Sequence, residues 1–442
     1  MIQKVLNQAK KQPSRVLLLV VILVMMAGYF YSQEIIEQIQ GSPCGIQDAL
    51  QNLTSSWNSY VGTHPTVANI LTALYSAFGD IAILVLFYFM FTTSSIQPIL
   101  PLFVFIILRQ IMQFMVSLPL PQGLIWDDPG FPSLFSNYAI DNDFYFSAYV
   151  GINLLMTLYL LKHAPELSRR FRWISILGFF IVFYEALVDI VLRSHYTMDI
   201  YTSCITAIFS FLFTQKLSKK IDSYFQGLKF YKYGLTLLVL LSIGIYLYIQ
   251  RIIGMMPIPI CSITDQIHIW SEPVNSYLFT HIFTRNMILI FMNSVLDVLS
   301  LFILFITIWK RDIRPFLIFF IFFFLRQILQ LLVKLPIPDQ ILWIYPGFPS
   351  LLQTYHVSSD FYFSGHTGTS LIAALELSYF KIPWLTGLGF AICAFQAIMV
   401  IIMRIHYTMD VFTAIMTVFC FTKFARQVAP RINSFLARLY ST

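Results

Sequence analysis

Charge is the first thing this 442-residue chain lacks. Asp, Glu, Lys and Arg make up 11% of it against 58% hydrophobic residues, where a soluble globular protein carries about 25% charged residues. So little charge cannot clothe a water-facing surface, which excludes a soluble enzyme and a disordered chain. Cysteine is scarce too: there are five, with no Cys-x-x-Cys pair, so neither a disulfide scaffold nor zinc or thiol redox chemistry is indicated. A formal charge of +7 is no nucleic-acid signal in so apolar a chain, and its meaning depends on where the cations sit. What the chain has in abundance is apolar runs, such as Val16–Met26, Ile81–Phe91 and Phe316–Leu325. They point to an all-α, multi-pass membrane protein.

The two halves read alike. LRQIMQFMVSLPLPQGLIWDDPGFPSL at Leu108–Leu134 recurs as LRQILQLLVKLPIPDQILWIYPGFPSL at Leu325–Leu351, 217 residues on. The same offset carries Asp80 onto Asp297, Cys44 onto Cys261, and Asp143–Ser147 onto Asp360–Ser364. RSHYTMD at Arg193–Asp199 returns as RIHYTMD at Arg404–Asp410. Such self-similarity reads as a tandem duplication, residues 1–222 and 223–442. Each half offers about six apolar spans: 16–31, 68–92, 100–117, 144–161, 173–192 and 197–214, then 234–250, 285–309, 315–333, 361–379, 384–403 and 407–424. An even number per half predicts two parallel six-helix repeats, about 12 spans in all.

Orientation follows from the cations. With the N-terminus inside, 21 of the 28 Lys and Arg, from Lys4, Lys10, Lys11 and Arg15 onward, fall on the inner side. The positive-inside rule then puts both termini in the cytoplasm. Cys44 and Cys261 occupy outer loops, where they can pair only if that face is oxidising. Span 16–31 follows a basic stretch as a signal peptide does, but its counterpart at 234–250 argues for retention.

Ionisable groups at membrane depth are costly, so each is a candidate site. One cluster is Ser364-Gly365-His366-Thr367, where a second imidazole stands at a helix start whose backbone N–H groups suit a phosphate oxygen. The other is Arg404-Ile-His406-Tyr-Thr-Met-Asp410. Four residues apart, His406 and Asp410 share a helix face if the segment is helical, and the carboxylate would fix the imidazole's tautomer. Both clusters fall at the outer membrane face. Arg404 and Arg326 are the remaining nearby cations. Arg404 is suited to phosphate, and Arg326 to phosphate or to an ion pair with Asp297. Two imidazoles and a carboxylate could also ligate zinc, although the spacing is not a zinc pattern.

SGHT followed some forty residues later by HYTMD resembles the sphingomyelin synthase family, within the wider type-2 phosphatidic acid phosphatase superfamily. The segment LRQ…LPIP at Leu325–Pro338 resembles the stretch that precedes the active-site motifs there. The resemblance implies a phosphotransferase acting on lipid headgroups at the non-cytosolic face, without cofactor or metal. His406 would be the nucleophile, Asp410 would orient it, and His366 would be acid and then base, with Ser364, Gly365, Arg404 and Arg326 contacting substrate. Its partners would be a phospholipid donor and a lipid alcohol acceptor: ceramide, diacylglycerol or another lipid alcohol. Water as acceptor would make it a hydrolase.

Departures from the superfamily pattern sharpen this reading. Phosphomonoesterases there carry an arginine six residues before the nucleophilic histidine, where this chain has Val400. Their Lys-x6-Arg-Pro motif is also missing, since Arg314-Pro315 has Thr307 at the lysine position. A terminal phosphate with nearly two charges needs those cations, whereas a phosphodiester carries one. The first half keeps His195 and Asp199, but SGHT becomes Ser147-Ala148-Tyr149-Val150. A tyrosine of pKa about 10 replaces an imidazole poorly, so this half is expected to be catalytically impaired. A 12-span lipid transporter is the rival architecture, but its sites would lie near the bilayer midplane.

Overall fold

A computed structural model describes residues 44–130, 145–167, 169–225, 231–350 and 362–438, with a few single positions besides. It is 77% helical and divides into two compact units.

Pro43–Gln266 form one unit. Short helices α1 (Ala49–Leu53) and α2 (Ser55–Thr63) lead into α3 (Pro65–Thr93) and α4 (Leu100–Met115). Strand β1 (Val116–Ser117) follows, then α5 (Ala148–Leu167), α6 (Arg169–Leu192), α7 (Thr197–Phe225), α8 (Tyr231–Gly254) and β2 (Thr264–Asp265). β1 and β2 pair antiparallel, Val116 opposite Asp265. Gly45 N–H donates to Cys261 O at 2.7 Å beside a Cys44–Cys261 disulfide. The expected functional halves meet at 222/223, whereas in packing α8 goes with Pro43–Gln266.

The other unit comprises Ile267–Thr442 with Met1–Ser42. Its helices are α9 (Gln266–Trp270, starting at the boundary), α10 (Glu272–Thr280), α11 (Ile282–Lys310), α12 (Arg314–Leu332), α13 (Gly365–Ser378), α14 (Pro383–Ile402) and α15 (Thr408–Arg438). Pro383 opens α14 at a position where a missing N–H costs nothing. α11 ends on Arg311 in the left-handed region, after which Asp312 Oδ1 accepts Arg314 N–H at 3.0 Å as α12 begins. At that same end Arg314 forms two 2.9 Å bonds with Glu376 of α13.

Among the described residues, seven helices are long and apolar enough to cross a membrane: α3, 173–192 of α6, 197–224 of α7, α11, α12, α14 and 408–435 of α15. Their outward faces stay apolar, as at Ile81, Tyr88, Phe291 and Val298, all exposed, which suits hydrocarbon rather than water. The all-α membrane architecture therefore stands, but twelve spans and two repeats do not emerge. α4 has 16 residues and α13 has 14, or about 24 and 21 Å at 1.5 Å per residue, short of a ~30 Å core. Most of the expected first span, 16–31, lies outside the described residues, as do Asp143, Asp360 and Lys4–Arg15. Beneath the second histidine motif lies a core of Leu278, Leu289, Met292, Leu342, Val400, Met403 and Ile405.

Candidate active site

Two helix starts build the site in the second half. Ser364 caps α13, its Oγ accepting Thr367 N–H at 3.3 Å, so Gly365 and His366 occupy the first turn. Upstream, Arg326 Nε donates to Phe363 O at 2.8 Å and Gln330 Nε2 to Tyr362 O at 3.3 Å, pinning the approach. Arg326 lies 3.5 Å from where a Gly365 side chain would begin, so its guanidinium borders the motif. Asp297, the alternative partner read from sequence, accepts the Ser350 hydroxyl at 3.0 and 3.1 Å.

The other helix start differs from the sequence expectation. His406 and Asp410 do not share a continuous helix. α14 ends at Ile402, Arg404 takes a left-handed φ of 56°, and the N–H groups of Ile405 and His406 turn back to Val400 O at 2.9 and 3.1 Å. His406 therefore stands in the turn before α15. Asp410 Oδ2 accepts Tyr407 N–H at 2.8 Å, an acidic side chain reaching back across the first turn as in a capping box. The same oxygen lies 3.7 Å from His406 Nδ1, so the carboxylate caps the helix and faces the imidazole at once. Val400, the hydrophobe at the phosphomonoesterase arginine's position, is fully buried and supplies the carbonyl of this turn.

A single bond ties the two starts together: Ser364 N–H donates to Asp410 O at 3.3 Å. His366 lies near both His406 and Arg326. Ser364, His366, His406 and Asp410 are all at most 3% exposed. Arg404 is directed elsewhere, to Asp339 O at 2.7 Å and to an ion pair with Glu272. Glu272 titrates below its ordinary value, through the Ser276 hydroxyl bond first and Arg404 after it.

Sequence reasoning missed three partners. Asn293 Oδ1 lies 3.1 Å from His366 Nε2, and Trp343 meets the same ring edge-on at 5.6 Å. His268 Nε2 donates to His406 O at 3.1 Å and stacks on Tyr407. Asn293 had a signal, a carboxamide inside an apolar run. Trp343 sits in a loop and His268 in the short helix α9, neither with such a signal. Among the described residues no three His, Cys, Asp or Glu side chains converge as metal ligands.

The first half repeats several of these bonds but has Tyr149 where the second has His366. Tyr149 sits in the first turn of α5 with its hydroxyl 3.2 Å from Ser133 Oγ, which in turn bonds Asp80. Ser147 Oγ donates to Asp189 at 2.7 Å. Asp199 Oδ2 accepts Tyr196 N–H at 2.9 Å, and His195 O accepts Gln51 Nε2 at 3.1 Å. Arg109 Nε donates to Phe146 O at 2.8 Å.

Residues 265–427 match the AtPDCT1/2 family. These are phosphatidylcholine:diacylglycerol cholinephosphotransferases, a sphingomyelin synthase-related family. The matched stretch is less than half the chain and contains both histidine motifs. It corrects the resemblance drawn from sequence in two respects. The similarity is to AtPDCT1/2 rather than to the sphingomyelin synthases themselves, because the short motifs that carried the resemblance are shared by related families. It also stops at residue 265, leaving a tandem duplication of such an enzyme unsupported. No curated protein and no solved structure matches the chain.

Proposed function

We propose that residues 265–427 are a membrane phosphotransferase that moves the phosphodiester headgroup of a phospholipid, phosphocholine by similarity to AtPDCT1/2, onto diacylglycerol. The observation that carries this reading is the Ser364–Asp410 bond, which fixes His366 beside His406 and Asp410 within the matched stretch.

The chemistry follows from which nitrogen faces what. Asp410 lies beside His406 Nδ1, so Nε2 presents the attacking lone pair. As the N–P bond forms, the P–O bond to the donor's glycerol breaks. That oxygen takes a proton from His366, leaving diacylglycerol and a phosphohistidine. Asn293's amide oxygen accepts at His366 Nε2, which assigns the exchangeable proton to Nδ1. A second diacylglycerol then attacks phosphorus, gives its proton to His366 and displaces His406. Val400 and the missing Lys-x6-Arg-Pro motif favour a singly charged phosphodiester. The orientation read from the cations supports a site on the non-cytosolic face.

The exchange converts like into like, so only a label reveals it. Purified protein in micelles with phosphatidylcholine and deuterated diacylglycerol should yield deuterated phosphatidylcholine. His406→Ala should abolish it and His195→Ala should retain it. No label transfer by folded protein would overturn the proposal, and loss with His195→Ala alone would move the site to the other half.

A further inference from the structure

The unit Pro43–Gln266 encloses a cavity of about 390 Å³ between α3, α4, α5 and α8, within the range of small-ligand pockets. Its lining is graded. At one end stand Arg109, Gln110, Tyr149, Ser194 and His195. Toward the other, Ser242 of α8 apart, come apolar side chains, including Ile83 and Phe87 of α3 and Leu100, Leu102 and Phe103 of α4. From Arg109 back to Leu100, and from Tyr75 on to Phe87, the helices cover about 14 and 18 Å at 1.5 Å per residue. One leaflet's share of a ~30 Å hydrocarbon core is about 15 Å.

The wall between α4 and α8 gives the route in. Ile107 and Ile245 line the cavity yet are 55% and 59% exposed, so its mouth opens sideways onto an exposed apolar face. Gln110 Nε2 bonds Tyr246 O at 3.2 Å and Gln250 Nε2 bonds Gln113 Oε1 at 3.3 Å, closing the two helices together beyond the polar end. Arg109 is the lining's one permanent charge and no carboxylate lines it. Asp189, bonded to the lining residue Ser194, accepts the hydroxyls of Ser147 and Ser194, both at 2.7 Å.

We propose that this cavity holds one glycerophospholipid, an acyl chain laid along α4 and its phosphodiester at the Arg109–Ser194–His195 end. The site belongs to the half that the family match leaves out, and it does not depend on the transferase reading. The unit thus acts as a lipid-binding partner rather than a spare catalytic centre.

Photo-crosslinking the full chain with phosphatidylcholine bearing a diazirine on its acyl chain tests this, with labelled peptides located by mass. Label is expected between Leu100 and Arg109 and between Ser242 and Tyr246. It should fall at least tenfold in Ser242→Trp, whose indole enters the cavity from a half-buried position, and likewise in Phe103→Trp from the opposite wall. Melting curves confirm that each variant is folded. Excess unlabelled phosphatidylcholine should compete at least tenfold better than diacylglycerol with the same chains. Equal competition by diacylglycerol would overturn the phosphodiester assignment. Label confined to 363–411, or unchanged in both folded tryptophan variants, would overturn the site while leaving the transferase proposal standing.

Discussion

Asp410 does two jobs with one oxygen, and substitution can separate them. Oδ2 caps α15 through Tyr407 N–H and faces His406 Nδ1, while Oδ1 is buried with no hydrogen-bond partner found among the described residues. A lone buried carboxylate oxygen is costly, and a positive or phosphorylated imidazole beside it offsets that cost. Asp410→Asn keeps an oxygen for the cap and removes the charge. Label transfer should fall by about 10³–10⁴-fold, as expected for a dyad that loses its orienting carboxylate. The melting temperature should hold, since the Asn amide oxygen can accept the same Tyr407 N–H. An equal fall in activity and stability would make Asp410 a purely structural cap. At this scale the sequence was legible in part. The four-residue spacing of His406 and Asp410 was visible, but not that a turn rather than a helix joins them, because Arg404 takes a left-handed conformation that arginine rarely adopts. The Arg404–Glu272 pair was illegible for another reason: it links residues 132 positions apart.

Among the elements, α13 is positioned by what it lacks. A side chain at Gly368 would begin 1.9 Å from the Phe322 ring of α12, so the helices meet at a glycine one turn from Ser364. Gly368→Ala should cost about 1–3 kcal/mol as overpacking, read as a lower melting temperature in detergent. Phe322→Leu in the same chain should recover part of it, because the two positions are in contact. No recovery would mean that Gly368 acts through backbone freedom instead. Sequence alone identified the helix start at Ser364 but not this contact, which joins residues 46 positions apart. The other end of α12 depends on Asp312. Burial raises its pKa, but Asn433, the Arg314 N–H and the Arg314 charge outweigh burial and hold it below the ordinary 3.8. With a depressed folded value, its stabilisation is complete above the unfolded pKa and is lost as pH falls through the folded one. Asp312→Asn should therefore lower the melting temperature at pH 6, and the gap to wild type should close below about pH 3.8. A gap that persists at lower pH would assign the effect to shape, not charge.

For the molecule as a whole, the sequence made the apolar helices legible through their runs, but not their number, because α4 and α13 are shorter than a span and length is set by caps and turns. Which side of the membrane the site faces is a question the Cys44–Cys261 disulfide can answer. It closes a loop of 217 residues and persists only in an oxidising compartment. Cys261 and His268 are seven residues apart, at most about 25 Å of extended chain, too short to cross a ~30 Å core. His268 in turn bonds His406 O. The disulfide and the histidine dyad must then share one membrane face. Of the five cysteines, Cys204, Cys393 and Cys420 are free thiols. Denatured protein should take three maleimides before reduction and five after it. In sealed cells treated with a membrane-impermeant reductant, an impermeant maleimide should then reach Cys44 and Cys261 from outside, if the chain sits in a plasma or inner membrane. The Cys44→Ser/Cys261→Ser variant should stay unlabelled under the same treatment. Labelling only after the membrane is opened would put His406 on the inner face and reverse the proposed orientation.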